Sequence, residues 1–174
     1  MPATATLTPT DPHAAFSAVL QQHRGIVFKV ANSYAWQADD RDDLAQEIAA
    51  QLWRAWPRFD PARSVTTWMY RVALNVAISH VRSRTARGFH DTVPLDEDLQ
   101  GHAEPEAEAM DHERAQHLRL LQAFIRRQAP LDRALLVLYL EDRPQREIAD
   151  ILGISESNVS TKIGRLKQRI RDDL

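Results

Sequence analysis

The sequence predicts an all-α protein of two small helical domains joined by an acidic linker. Three observations carry that prediction. Helical periodicity runs through both ends of the chain, with no strand-like alternation. Glycine is scarce, at 5 of 174 residues, while Ala, Leu, Arg, Glu and Gln are plentiful. Between the two periodic ends, a central stretch loses its period and carries acids without a single Lys or Arg. The expected boundaries are a disordered N-terminus over 1–12, a first domain over 13–87, a flexible acidic linker over 88–110 and a second domain over 111–174.

The elements follow in order. Asp11-Pro12 pairs an N-cap residue with proline at the first helical position and opens a helix to about Arg24, where Gly25 breaks it. A second helix covers about Ile26 to Trp36. The polar turn QADDRDD ends it, and a third helix runs to about Trp56, stopped by Pro57. After the loop PRFDPARSV, Ser64 or Thr66 can cap a fourth helix that reaches about Ala86. Val93, Leu95 and Leu99 are the few larger apolar residues of the linker. Helices then cover about Asp111–Gln128, Leu131–Leu140, Gln145–Leu152 and Glu156–Arg171.

Composition excludes several classes. There is no cysteine, so there can be no disulfide, thiolate zinc site or cysteine nucleophile. The opening MPATATLTPTDP lacks a signal peptide's basic end and apolar core, and no apolar run approaches the roughly 18–20 residues that cross a bilayer. A soluble cytoplasmic protein without membrane insertion is expected. No cofactor is implied. Among the histidines, His112 and His117 stand five apart and do not stack on one helical face. Asp39, Asp40, Asp42 and Asp43 lack a His or Glu to complete a metal set. No phosphate-binding glycine loop, G-x-S-x-G or H-E-x-x-H is present, so neither a catalytic nor a metal site is expected.

Net charge is −2 and the isoelectric point about 6.4, unlike a free-standing DNA binder. The distribution says more. Residues 61–90 carry Arg63, Arg71, Arg82, Arg84 and Arg87 with no acid. Residues 91–113 carry nine acids and no Lys or Arg. Residues 160–171 carry Lys162, Arg165, Lys167, Arg169 and Arg171, again with no acid. Solvated helix faces would also give such blocks.

The second domain holds the clearest motif, REIADILGISESNVSTKIGRLKQRI. A short helix puts Ile148, Ala149 and Leu152 on one side. Gly153 can take the positive φ of a tight turn, and Ser155 can cap the next helix. That helix turns Val159, Ile163, Leu166 and Ile170 inward and Asn158, Thr161, Lys162, Arg165 and Arg169 outward. An apolar seam beneath amides, hydroxyls and cations is what a helix-turn-helix needs to meet bases and phosphates in the major groove. An ordinary helical hairpin would share the basic face but not the Gly153–Ser155 turn.

In the first domain, the third helix gathers Leu44, Ala45, Ile48, Ala49, Leu52 and Trp56 on one arc and leaves Asp43, Gln46, Glu47, Ala50 and Arg54 opposite. A well-capped amphipathic surface helix would look the same. On the fourth helix, Trp68, Arg71, Asn75 and Arg82 lie near one line. A flat ring to stack on, an amide for base edges and guanidiniums for phosphate suit single-stranded nucleic acid. The alternative places Trp68 in the core and leaves the arginines solvated.

DDLAQEIAAQLWRAWPRFD followed by TTWMYRVALNVAISHVRSR resembles region 2 of bacterial RNA polymerase sigma factors of the extracytoplasmic-function (ECF) group. PLDRALLVLYLEDRPQREIADILGISESNVSTKIGRLKQRI resembles region 4 of the same group. The resemblance implies a region 2 helical bundle and a region 4 helix-turn-helix. It implies that Asp43, Gln46 and Glu47 dock on the polymerase clamp. Phe59, Asp60 and Arg63 would belong to a loop, reaching to Thr67, that cups a flipped base. Trp68, Arg71, Asn75 and Arg82 would read and open the −10 element. Ser157, Asn158, Thr161, Lys162, Arg165 and Arg169 would meet the −35 element. Implied partners are core RNA polymerase, through its β′ clamp and β flap, and promoter DNA; an anti-sigma factor is a further candidate. The family often has Asp where Ser79 stands and Thr where Asn158 stands. A two-domain helix-turn-helix regulator that works without polymerase docking is the alternative, and it would bind its operator alone.

Overall fold

The computed structural model describes residues 11–88 and 108–173, and it is helical throughout, with no strand among the described residues. The expected disorder of the first residues and nearly all of the expected linker fall outside them. The helices are α1 (Pro12–Gln22), α2 (Arg24–Tyr34), α3 (Ala38–Ala55), α4 (Val65–Ala86), α5 (Glu108–Arg126), α6 (Pro130–Leu140), α7 (Gln145–Leu152) and α8 (Glu156–Asp173), with a one-turn 3-10 segment at Trp56–Arg58.

Local chemistry accounts for most of the boundaries. The Asp11 carboxylate accepts the His13 N–H at 3.0 Å and starts α1. Ser64 Oγ accepts from the Thr67 N–H at 3.4 Å and starts α4. Pro57 turns the end of α3 into the 3-10 segment rather than cutting it off. Gly153 ends α7 with φ +67°, and Ser155 Oγ accepts the Asn158 N–H at 3.1 Å at the start of α8.

Four expectations need correction. The break between α1 and α2 falls at His23, and Gly25 lies in the first turn of α2. The stretch QADDRDD is not a turn: α3 begins at Ala38, and Asp39 and Asp40 sit in its first turn, where the helix dipole favours acids. Helix α5 starts at Glu108, inside the span expected to be linker. Last, α8 continues to Asp173.

Helices α2, α3 and α4 pack on one another around Val30, Leu44, Ile48, Leu52, Met69, Ala73 and Leu74, all essentially inaccessible. Helices α6, α7 and α8 enclose Leu135, Leu138, Ile148, Val159 and Leu166. The two cores join, because the buried residues of both halves form one continuous cluster. Contacts of α2 with α5 and α6, and of α4 with α6 and α7, make the junction.

That junction is polar at its edges. Tyr34 donates its hydroxyl to the Pro130 carbonyl at 2.7 Å, and burial pushes the pKa of this phenol upward. Arg133, only 5% exposed, lies over the rings of Tyr34 and Trp36 at 5.0 and 4.9 Å and donates to the carbonyls of Arg126 and Gln128. Arg126 also covers Trp36, at 4.8 Å. Lys29 pairs with Glu141.

Candidate nucleic-acid interface

On α3 the expected arc is buried at Leu44, Ala45, Ile48 and Leu52, and Asp43, Gln46 and Glu47 are exposed on the other side. Glu47 accepts from Gln51 at 2.7 Å and lies 4.0 Å from Arg54, both on its own helix. The stripe is therefore not consumed by folding.

The row on α4 is divided. Arg71, Asn75 and Arg82 are exposed, whereas Trp68 is partly buried. Its ring lies 4.9 Å from Phe59 and 5.9 Å from Trp56, while Phe59 stacks on Trp56 at 5.3 Å. Phe16 and Trp53 continue the cluster. Trp68 thus belongs to the edge of the core, and it keeps part of its ring accessible. The preceding loop is braced by Asp60, whose carboxylate accepts the Ala62 N–H at 2.9 Å and whose carbonyl accepts the Arg63 N–H at 2.9 Å. The result places Arg63, Trp68 and Arg71 around one cleft of about 610 Å³. Asn75 lies apart from them, in a groove it shares with Glu47 and Gln51 of α3. Arg82 is two helical turns further on. At the end of α4, Arg84 pairs with Asp40 at 2.8 Å and ties α4 back to the start of α3.

In the second half, Val159, Ile163 and Leu166 are buried as the seam requires. Ser157, Asn158, Thr161, Arg165 and Arg169 are exposed. Lys162 is not a free outward cation: its ammonium lies 3.3 Å from the Asp132 carboxylate of α6. Arg169 reaches the same carboxylate at 3.7 Å and also donates to Gln128. Asp132 was not singled out in the sequence, because a lone acid in a first helical turn reads as a favourable dipole contact.

Sequence reading also missed what closes the 610 Å³ cleft. Its other wall comes from α7, with Arg146, Glu147 and Asp150. Glu147 accepts hydrogen bonds from Thr67 Oγ1 at 2.7 Å and from Arg143 at 3.1 Å. Arg143 reaches Thr66 Oγ1 at 3.3 Å and lies over the Tyr70 ring at 5.0 Å.

This geometry defines a two-part helical protein with a helix-turn-helix at one end and an aromatic, amide and guanidinium surface at the other. Comparison with known proteins sharpens the class. Residues 19–87 match the model of Sigma-70 region 2, and residues 118–170 match that of Sigma-70, region 4. The ECF RNA polymerase sigma factor SigE of Mycolicibacterium smegmatis is 29% identical over 90% of this chain, which spans 60% of SigE's length. ECF sigma factor SigW of Bacillus subtilis is 25% identical over 92% of the chain and 89% of its own length. In fold the chain is similar to CnrH solved with the cytosolic domain of CnrY (TM-score 0.64, 21% identity, 94% of this chain and 88% of the other). It is also similar to the sigma factor RpoE solved with the anti-sigma factor NepR from Bartonella quintana (TM-score 0.69, 16% identity, 91% and 96%). The chain belongs to the sigma-70 family, in its ECF group. No helix among the described residues is long and apolar enough to cross a membrane.

Proposed function

We propose that this chain docks on core RNA polymerase and directs it to particular promoters, reading the −35 element with α8 and reading and opening the −10 element with α4. The observation that carries the reading is the division of labour on α3 and α4. Asp43, Gln46 and Glu47 form an exposed polar stripe that the fold does not use. Beside it, Arg71, Asn75 and Arg82 stand exposed along α4 behind a partly accessible Trp68.

In this reading the stripe meets the β′ clamp, and 111–174 sits near the β flap. The loop from Phe59 through Asp60 and Arg63 to Thr67 cups a flipped base. Trp68 supplies a stacking surface, Asn75 hydrogen bonds, and the arginines charge for phosphate. Ser157, Asn158, Thr161 and Arg165 face the −35 major groove. Negative net charge is no obstacle, because affinity for DNA follows the phosphates neutralised and the polymerase supplies most of those contacts. The site of action is the cytoplasm. An anti-sigma factor is a further partner in this reading, since two of the similar structures were solved with the cytosolic domain of CnrY and with the anti-sigma factor NepR.

In vitro transcription with core polymerase on genomic fragments tests the whole reading. Promoter-specific transcripts that require the chain are expected. Specific binding to a duplex operator without polymerase, and no transcripts with it, would replace this reading by that of an ordinary helix-turn-helix regulator.

A further inference from the structure

The groove that holds Asn75 is separate from the cleft around Trp68. It lies between α3 and α4 and measures about 550 Å³. Glu47 and Gln51 line it from α3; Asn75, Ser79, Ser83 and Arg87 follow one another along α4. A spacing of four keeps successive members on neighbouring turns of one side of the helix. From 75 to 87 the row covers about 18 Å, at about 1.5 Å per residue. All of its members on α4 are exposed. Among the described residues, their side chains make no hydrogen bond or ion pair. Arg84, on the same stretch of helix, differs, since Asp40 holds it at 2.8 Å. Folding thus leaves an amide, two hydroxyls and a guanidinium unused in a row.

The groove is polarised from end to end. Glu47 brings a carboxylate to one end and Arg87 a guanidinium to the other, so a phosphate is repelled from the first and drawn to the second. Gln51 donates to Glu47 at 2.7 Å. That bond orients the Gln51 amide and leaves its oxygen and its second N–H for a ligand. Amide groups suit the edge of a base; hydroxyls and a guanidinium suit phosphate oxygens. The base edge therefore belongs at Gln51 and Asn75, and the backbone at Ser83 and Arg87. Val76 is the one aliphatic side chain in the lining, which offers a protein helix too little apolar surface to bury.

We propose that this groove is a second strand-binding site. Gln51 and Asn75 read a base edge in it, while Ser79, Ser83 and Arg87 hold the adjoining phosphates. Gln51 is then a specificity-determining residue supplied by α3, the helix assigned to polymerase docking, and Glu47 is the residue that aims it. The inference rests on the assignment of α4 to the −10 strand and adds a site beyond the Trp68 cleft.

The test uses the full chain assembled with core polymerase. A promoter recovered by transcription of genomic fragments is randomised over its −10 element, and each holoenzyme selects from the pool. Gln51→Ala should lower discrimination at one −10 position by about tenfold, within the range of one lost base contact. Arg87→Ala should weaken binding to all −10 sequences alike and lower the salt slope by about one; Arg87→Lys should restore the slope. Retention of all three variants on immobilised core polymerase should match wild type, which also shows that they fold. Wild-type base selection by Gln51→Ala, or a wild-type salt slope for Arg87→Ala, would overturn the second site while promoter-specific transcription by the wild-type chain still upholds the proposed function. Lost retention of Gln51→Ala with unchanged base selection would move Gln51 to the docking stripe and overturn its reading role. A wild-type holoenzyme that selects no −10 sequence would overturn the assignment of α4 and the groove with it.

Discussion

Lys162 and Asp132 form an ion pair at 3.3 Å that ties the middle of the helix-turn-helix's second helix to the first turn of α6. Arg165, one turn along, is exposed on the same helix. Different tasks are expected of the two cations. Arg165→Ala should relax preference at one −35 base pair, since losing a bidentate base contact costs about 1–3 kcal/mol. Lys162→Ala should weaken all upstream sequences alike and lower the salt dependence. Selection of −35 sequences by holoenzymes carrying each variant separates the roles. Equal loss of preference in both would show that the pairing does not sort them.

Glu47→Lys should leave melting nearly unchanged, because Glu47 is exposed and its hydrogen bond and ion pair are to Gln51 and Arg54 on its own helix. A close interfacial charge contact is worth about 2–5 kcal/mol when broken, or roughly 30-fold or more in affinity. Retention on immobilised core polymerase checks this. Wild-type retention would remove the stripe from the docking surface.

Asn75→Ala should bind core polymerase normally and lose permanganate reactivity of the melted strand, since Asn75 is exposed. Trp68→Ala should fail differently. It removes a ring from a cluster with Trp56 and Phe59, so thermal stability should drop along with promoter opening. Normal opening by Asn75→Ala would confine that residue to the scaffold.

Arg133→Met should destabilise the second half by about 1–3 kcal/mol, the cost of leaving buried hydrogen-bonding groups without partners. The carbonyls of Arg126 and Gln128 would lose their donor, and Tyr34 and Trp36 the cation above them. Urea unfolding measures it; an unchanged midpoint would show that water replaces the guanidinium at no cost.

Alkaline pH should weaken the junction. Burial raises the Tyr34 phenol above its ordinary 10.0, so above about pH 10 the unfolded phenol ionises while the folded one stays protonated. The stabilisation is complete below pH 10 and declines as pH rises towards the folded value. Tyr34→Phe should flatten that decline in thermal melts taken across this range.

Much of the fold is legible in short stretches of sequence, since caps and turns are local. Asp11-Pro12, Ser64, Gly153 and Ser155 each act within a few residues and mark true helix ends. Two boundaries were misread. Gly25 lies inside a helix, and α3 starts at Ala38 with no side-chain cap at all. The exposed faces of α3, α4 and α8 follow from their apolar arcs. The junction does not, because its contacts are distant in sequence and made by polar side chains without a period. Tyr34 meets Pro130 across 96 positions, and Thr67 meets Glu147 across 80. Lys162 was misplaced for the same reason: only the fold brings Asp132 beneath it.

The four tryptophans divide the molecule optically. Trp53, Trp56 and Trp68 belong to the aromatic cluster of the first half, whereas Trp36 sits beneath two guanidiniums contributed by the second. Substituting the cluster tryptophans with phenylalanine would leave one indole whose emission depends on whether Arg126 and Arg133 cover it. Intrinsic fluorescence would then report on this junction alone, with no dye attached.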